Sequence, residues 1–359
     1  MSAVTLMSVP RAGGTLEPLS SGELDGLLRR VIRALEGEDS SWRPESFSGQ
    51  PGGLVDLVAQ VPQLPTIIVP DLHARWRFFQ RVLDYVPDHR EYWPQCLGLE
   101  GLSVLDLLGR GLVNLVCVGD GLHSELHRDR WLEAQSHYGS GRVLGAALEE
   151  EMAEGLGLMA MVMECKAAFS ARFHFLKGNH ENIMNRWAGG DRPFRKFARE
   201  GEMARRFMEE LYGEEVLQLY GRFETLLPLC VAAPRCLISH SEPRRAFSRR
   251  QVVDALEDGE GEAVYGLTWT GNGESQDGAV AAMLEEFLPQ WWNGGQPVDG
   301  GSLPCLYFGG HRTISESYRL RQEGRYVQIH NPRLQQVAVV PVHRPFDFGR
   351  DLVCLGGED

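Results

Sequence analysis

The chain has no Cys-x-x-Cys pair and no compact cysteine framework: Cys96, Cys117, Cys165, Cys230, Cys236, Cys305 and Cys354 are odd in number and scattered over its length. That pattern argues against a disulfide scaffold and for reduced, buried thiols, as at Cys117 inside Leu115-Val116-Cys117-Val118. No run approaches the roughly 18 apolar residues of a membrane span, and residues 1–19 lack the charged start and apolar stretch of a secretory leader. Both absences point to a soluble cytoplasmic protein with no membrane partner. Positive charge is also short: 36 Lys and Arg against 49 Asp and Glu give a formal charge of -13 and a pI near 5.4. Phosphate backbones reward clustered cations, so no nucleic-acid partner is expected. Internal repeats and low-complexity tracts are missing too.

What the chain does have is apolar mass in short pieces. With 43% apolar residues over 359 positions it can bury a continuous core, as one large α/β domain or two smaller ones. Residues 1–60 read as an N-terminal extension, in which Gly-, Ser- and Pro-rich segments flank an amphipathic helix at 22–35. Apolar runs then recur at 66–69, 112–118, 172–176, 235–238 and 303–308, separated by helical stretches that include 74–86, 144–170 and 194–212. Strand, polar loop, helix is the α/β order in which chemistry collects at the carboxyl ends of strands. Residues 326–329 and 336–342 read as antiparallel strands joined by Asn331-Pro332-Arg333-Leu334, which makes the sheet system mixed; residues 346–359 read as a tail.

Each of the five runs stops at a polar cluster: Pro70-Asp71-Leu72-His73, Gly119-Asp120, Gly178-Asn179-His180-Glu181, Ser239-His240 and Gly310-His311. Asp, Asn and His supply the oxygen and nitrogen donors that borderline divalent metals take. Asp71 and His73 stand two apart, which in extended chain points both side chains to one side, so a single ion can be gripped by both. Gly119 permits the sharp turn that brings the Asp120 carboxylate to other strand ends, where it can bridge two ions. Asn179 offers a neutral oxygen, while the adjacent His180 is free to donate a proton.

This ordered series resembles the calcineurin-like metallophosphoesterase superfamily, whose pattern is Asp-x-His, Gly-Asp, Gly-Asn-His-Glu, His and Gly-His; the likeness spans residues 64–313. Gly178-Asn179-His180-Glu181-Asn182-Ile183-Met184-Asn185-Arg186 and Leu267-Thr268-Trp269-Thr270 are similar in particular to the phosphoprotein (Ser/Thr) phosphatase branch. The resemblance implies an α/β fold, a sandwich of two mixed β-sheets flanked by helices, with residues 61–345 as the catalytic domain and 121–170 as a helical insertion that packs beside the site or forms a lid. It implies two divalent metal ions (Mn, Fe or Zn), one held by Asp71, His73 and Asp120, the other by Asp120, Asn179, His240 and His311. The activity implied is hydrolysis of a phosphorylated substrate, a phosphoprotein or small phosphoester, by hydroxide activated between the ions, with His180 as general acid.

The departures from the family pattern are specific. Where the branch continues Gly-Asp-x-x-Asp-Arg-Gly, this chain reads Gly119-Asp120-Gly121-Leu122-His123-Ser124-Glu125. His123 takes the position of the Asp that orients the catalytic His, with Glu125 as a substitute carboxylate, and Ser124 takes that of a phosphate-binding Arg. Arg128, Arg130, Arg186, Arg244 and Arg312 are replacements for that Arg, with Arg186 and Arg244 foremost. Gly310-His311-Arg312-Thr313 lacks the second His of the Gly-His-x-His form, which leaves the first metal three protein ligands and sides with the phosphatase and dinucleoside tetraphosphatase branches. Two rival readings follow: a nucleotide or dinucleoside polyphosphate hydrolase, and a metal-binding regulatory protein without catalysis.

Overall fold

The computed structural model describes residues 19–141, 143–258, 261–297 and 303–356. Among these residues, eleven strands form two mixed sheets. Strands β1 (Leu54–Asp56), β5 (Cys230–Ala233), β6 (Cys236–Ser239), β7 (Leu306–Gly309), β9 (Tyr326–Gln328) and β8 (Arg319–Arg321) make the six-stranded sheet in that order. Strands β11 (Leu352–Cys354), β10 (Gln336–Val340), β2 (Thr66–Val69), β3 (Asn114–Cys117) and β4 (Phe173–Phe175) make the five-stranded one. Three consecutive strands in each sheet run parallel: β2, β3 and β4, with Ile67 opposite Leu115, and β6, β7 and β9, with Ile238 opposite Phe308.

Alternation of side chains along the strands builds a layered core. Ile68, Val116, Ile238, Phe308 and Val327 point inward and pack sheet against sheet. Their neighbours Ile67, Val69, Leu115, Cys117 and Phe173 point the other way, into helices Ser21–Glu36, Trp76–Asp84, Ala146–Ala168, Glu200–Tyr212 and Glu214–Thr225. On the opposite outer face Leu237, Tyr307 and Tyr326 pack under helices Glu262–Thr268 and Ala279–Phe287. Strands covered on both faces read as unbroken apolar runs, which is how they appear in the sequence. The sandwich of two mixed sheets flanked by helices is the architecture that the motif order implies.

Several boundaries differ from the sequence reading. Residues 326–329 and 336–342 are not a hairpin: β9 and β10 lie in different sheets, with β9 parallel to β7 and β10 antiparallel to β2. The segment beginning Asn331-Pro332 carries the chain from one sheet to the other, so its turn chemistry was right and its partnering wrong. The 1–60 extension contributes β1, paired with β5, and the 346–359 tail contributes β11, paired with β10, so both segments add a strand to the sandwich. Helix Ala146–Ala168 is no lid: Leu148, Met152, Leu156, Met159 and Met163 are buried in the core against helix Ser21–Glu36. Helix Ser21–Glu36 starts at a capping box made by Ser20 and Glu23 and buries Leu24, Leu27, Leu28, Val31 and Leu35 on one face. The 194–212 stretch is helical only from Glu200, which leaves residues 194–199 as an irregular segment passing the candidate site.

Candidate metal centre

Because β2, β3 and β4 run parallel, the loops that follow them emerge at one edge; the same holds for β6, β7 and β9 in the other sheet. All five clusters meet where these edges adjoin. Two glycines set how close the turns can come. A Cβ on Gly310 would lie 1.9 Å from Asp71 Oδ1, and one on Gly178 would lie 2.2 Å from Asp120 Oδ1. His73, Asp120 and His311 themselves take left-handed backbone conformations (φ of 43°, 52° and 65°), a strain that only a heavily determined site sustains. Glu181 fastens two of the turns together: its carboxylate accepts from the backbone N–H of Gly178 (2.6 Å), Asp120 (2.9 Å) and Gly121 (2.8 Å). Burial nevertheless pushes the pKa of Glu181 up to about 7, with the neighbouring Asp120 charge adding to the rise and the N–H donors opposing it.

The donor atoms fall into two overlapping groups. Around Asn179, Oδ1 lies 2.9 Å from His240 Nε2 and 2.8 Å from His311 Nδ1. Around Asp71, Asp71 Oδ1 and His73 Nε2 are buried without hydrogen-bond partners. Asp120 belongs to both groups: its Oδ2 is 3.6 Å from His73 Nε2 and 3.5 Å from His240 Nε2. The outer nitrogens fix the tautomers. His73 Nδ1 donates to the carbonyl of His123 (2.8 Å) and His240 Nδ1 to that of Val118 (2.9 Å), so each ring turns an unprotonated Nε2 inward.

Such a set fits divalent cations and little else. Burial pushes the Asp71 carboxyl well above its ordinary value, reinforced by the Asp120 and Glu125 charges, and it pushes Asp120 up to about 8. Burial likewise holds His73 and His311 well below the usual imidazole value and His240 down at about 4, so the rings are neutral and their lone pairs free. Packed carboxylates and orphaned nitrogens cost free energy when dry and become favourable around positive ions.

His180 sits beside these groups rather than among them. Its backbone N–H donates to Asp120 Oδ1 (2.9 Å), its ring stacks on Phe194 at 4.9 Å, and its Nε2 is 3.9 Å from Asp120 Oδ2. The His123 ring approaches the His180 ring to 4.7 Å in a tilted contact. The carboxylate behind His123 is Glu200, whose Oε1 lies 3.6 Å from His123 Nε2 with both side chains fully buried. Glu125, the substitute expected from sequence, instead faces His330 Nε2 (3.1 Å) and His73 Nε2 (3.2 Å) and pairs with Lys196.

Of the arginines expected to replace the missing one, Arg130, Arg186 and Arg244 lie outside this cluster, whereas the charge of Arg312, next to His311, is felt by His240 and His311. Arg186 is exposed and is tied through its backbone to Asn182, and exposed Arg244 stacks on Tyr265 at 5.3 Å in the wall of a cleft of about 810 Å³ that also holds Arg192 and Trp187. Arg130 is taken up by Glu150, Glu151 and Glu154. Lys196 pairs with Glu125 at the edge of the cluster, and Arg75 lies against Asp71; sequence reasoning missed Lys196 along with Glu200 and His330. The Leu267-Thr268-Trp269-Thr270 segment has a bracing role: the carbonyl of Leu267 accepts from Ser241 N (2.9 Å), next to His240.

No family model matches the chain, and no curated protein sequence does. Solved structures do share its fold. A serine/threonine phosphatase from Saccharomyces cerevisiae, described as similar to human phosphatase PP5, superposes with a TM-score of 0.50 at 13% identity over 94% of this chain and 89% of its own. A cold-active protein tyrosine phosphatase (TM-score 0.44, 10% identity, 80% and 75% covered) and a putative diadenosine tetraphosphatase (0.35, 12%, 84% and 96%) are more distant. The first of these shows that the sandwich is a fold that a serine/threonine phosphatase also adopts.

Proposed function

We propose that the chain is a dinuclear metal-dependent phosphoesterase that hydrolyses phosphate monoesters. The observation that carries this reading is Asp120, a buried carboxylate within 3.6 Å of donor nitrogens from both groups. Asp71, His73 and Asp120 would hold one ion; Asp120, Asn179, His240 and His311 the other. Two such ions, of Mn, Fe or Zn, would supply the Lewis acidity that activates water and neutralises charge on the phosphoryl oxygens.

The chain's own residues supply the rest. His180 Nε2 faces the cluster and gives a proton to the departing oxygen. Burial holds its pKa well below the ordinary value, and the negative charge of a bound phosphate would favour the protonated ring that the step needs. Phe194 and His123 fix the ring's orientation from two sides, and Glu200 anchors His123. Lys196 sets its positive charge against Glu125 at the edge of the cluster. The protein's seven unpaired cysteines, five of them buried, support a cytoplasmic setting, and no helix among the described residues is long and apolar enough to cross a membrane.

Turnover tests this directly. Under Mn²⁺ the protein should hydrolyse p-nitrophenyl phosphate and a phosphopeptide faster than a dinucleoside tetraphosphate. The opposite order would transfer the assignment to polyphosphate hydrolysis, and bound metal without any turnover would make it a regulatory protein.

A further inference from the structure

We propose that His330 is a protein ligand of the first metal through Nδ1, and that Glu125, gripped by Lys196, positions it; this rests on the two-metal reading above. His330 follows β9, the third of the parallel strands β6, β7 and β9, so the topology sets it at the same edge as His240 and His311. Its side chain has no solvent exposure, and its backbone carbonyl is fixed by Ile314 N (2.9 Å).

The two ring nitrogens are not equivalent. Nε2 lies 3.1 Å from Glu125 Oε2, and a carboxylate there requires that Nε2 carry the proton. Nδ1 therefore presents a lone pair. It is buried, has no hydrogen-bond partner and lies 3.6 Å from Asp71 Oδ2. Two lone-pair atoms facing each other in a dry site repel unless something positive joins them. One donor atom each from Asp71, His73 and His330 lies within 4.8 Å of the others, a span that one ion closes. A satisfied core histidine, the plain alternative, would not leave its only free nitrogen against a carboxylate.

Glu125 then has the role of an outer carboxylate that fixes the tautomer and rotation of a metal-binding ring. Lys196 holds the other end of Glu125. The chain contains only three lysines, and the other two are also spent on carboxylates, Lys166 on Glu38 and Lys177 on Asp191 (3.2 Å). The unusual Gly121-Leu122-His123-Ser124-Glu125 loop thereby acquires a purpose: it turns a carboxylate toward the first metal. His330 replaces, from another strand, the imidazole missing after Gly310-His311.

Calorimetric Mn²⁺ titration of the full chain, with metal content measured after gel filtration, tests this without turnover. Wild type should bind two ions. His330→Ala should keep one at near wild-type affinity and weaken the other by at least about tenfold, and Glu125→Ala should weaken the same ion by about 10–100-fold. His311→Ala should weaken the other ion instead. If His330→Ala fails to fold, Glu125→Ala and the volume-conserving His330→Gln decide the matter. Two ions bound by the His330 and Glu125 variants as tightly as by wild type would overturn the assignment while leaving the two-metal reading intact. No ion bound by wild type would overturn both.

Discussion

Glu200 and His123 face each other in a space that excludes solvent, with Oε1 3.6 Å from Nε2, and the same carboxylate accepts from the backbone N–H groups of Lys196 (3.1 Å) and Ala198 (2.9 Å). One side chain therefore holds both the ring behind His180 and the segment that carries Phe194 and Lys196. Replacing Glu200 by Ala should lower stability by about 1–3 kcal/mol, since buried N–H groups lose their acceptor. It should also reduce kcat more than it raises KM, as read by steady-state turnover of p-nitrophenyl phosphate alongside chemical denaturation.

The same contact has a pH signature. The Glu200 carboxyl is held down at about 2: burial opposes its charge, but His123 and the backbone donors outweigh burial. A folded-state value below the unfolded one means that the ionised group stabilises the fold above the unfolded pKa, about 4.5, and that this stabilisation is lost as pH falls toward 2. The stability gap between wild type and Glu200→Gln should accordingly be constant from pH 7 to 5 and shrink from pH 4.5 downward. A gap that widened on acidification would contradict the contact.

The proton-donor role proposed for His180 predicts a dependence on the leaving group. Loss of a general acid costs about 10²–10⁴-fold when the departing oxygen needs its proton, and far less when it departs as a stable anion. His180→Ala should slow an alkyl phosphate by at least about 10²-fold and p-nitrophenyl phosphate by much less. Equal losses on both would place His180 in binding rather than proton transfer.

Gly310 tests the packing of the ligand turns. A methyl group there would meet Asp71 Oδ1 at 1.9 Å, so Gly310→Ala must push Asp71 or His311 aside. Misplacement on the order of 1 Å costs about 10²-fold in rate. The variant should lose metal and activity while its far-ultraviolet circular dichroism stays that of wild type.

Away from the site, Glu38 links the end of helix Ser21–Glu36 to the core: its buried carboxylate pairs with Arg43 (2.7 Å) and with Lys166, both nearly or wholly inaccessible. Removing one partner of a buried cluster strands the other charges, at a cost of about 3–5 kcal/mol. Glu38→Ala should therefore lower the denaturation midpoint more than any single exposed ion-pair variant, such as Glu316→Ala.

Most of the residues that gather at the candidate site were legible because each combines a buried strand with a small or polar residue immediately after it, as in Val116-Cys117-Val118-Gly119-Asp120. His330 follows the same rule at Tyr326-Val327-Gln328-Ile329-His330, yet Asn331-Pro332 just beyond it mimics a hairpin turn and draws the reading toward local pairing. Glu200 gave no signal, since an acidic residue in the first turn of a helix is ordinary helix chemistry. Which carboxylate meets which imidazole depends on how residues 121–127 and 192–199 cross in space, and neither segment has periodicity to read.

The central claim is that Asp120 joins two ions. The most direct measurement is electron paramagnetic resonance of the protein loaded with two equivalents of Mn²⁺. A carboxylate-bridged pair should give an exchange-coupled multiline spectrum that collapses in Asp120→Ala. An isolated six-line Mn²⁺ spectrum from the wild type at full loading would contradict it.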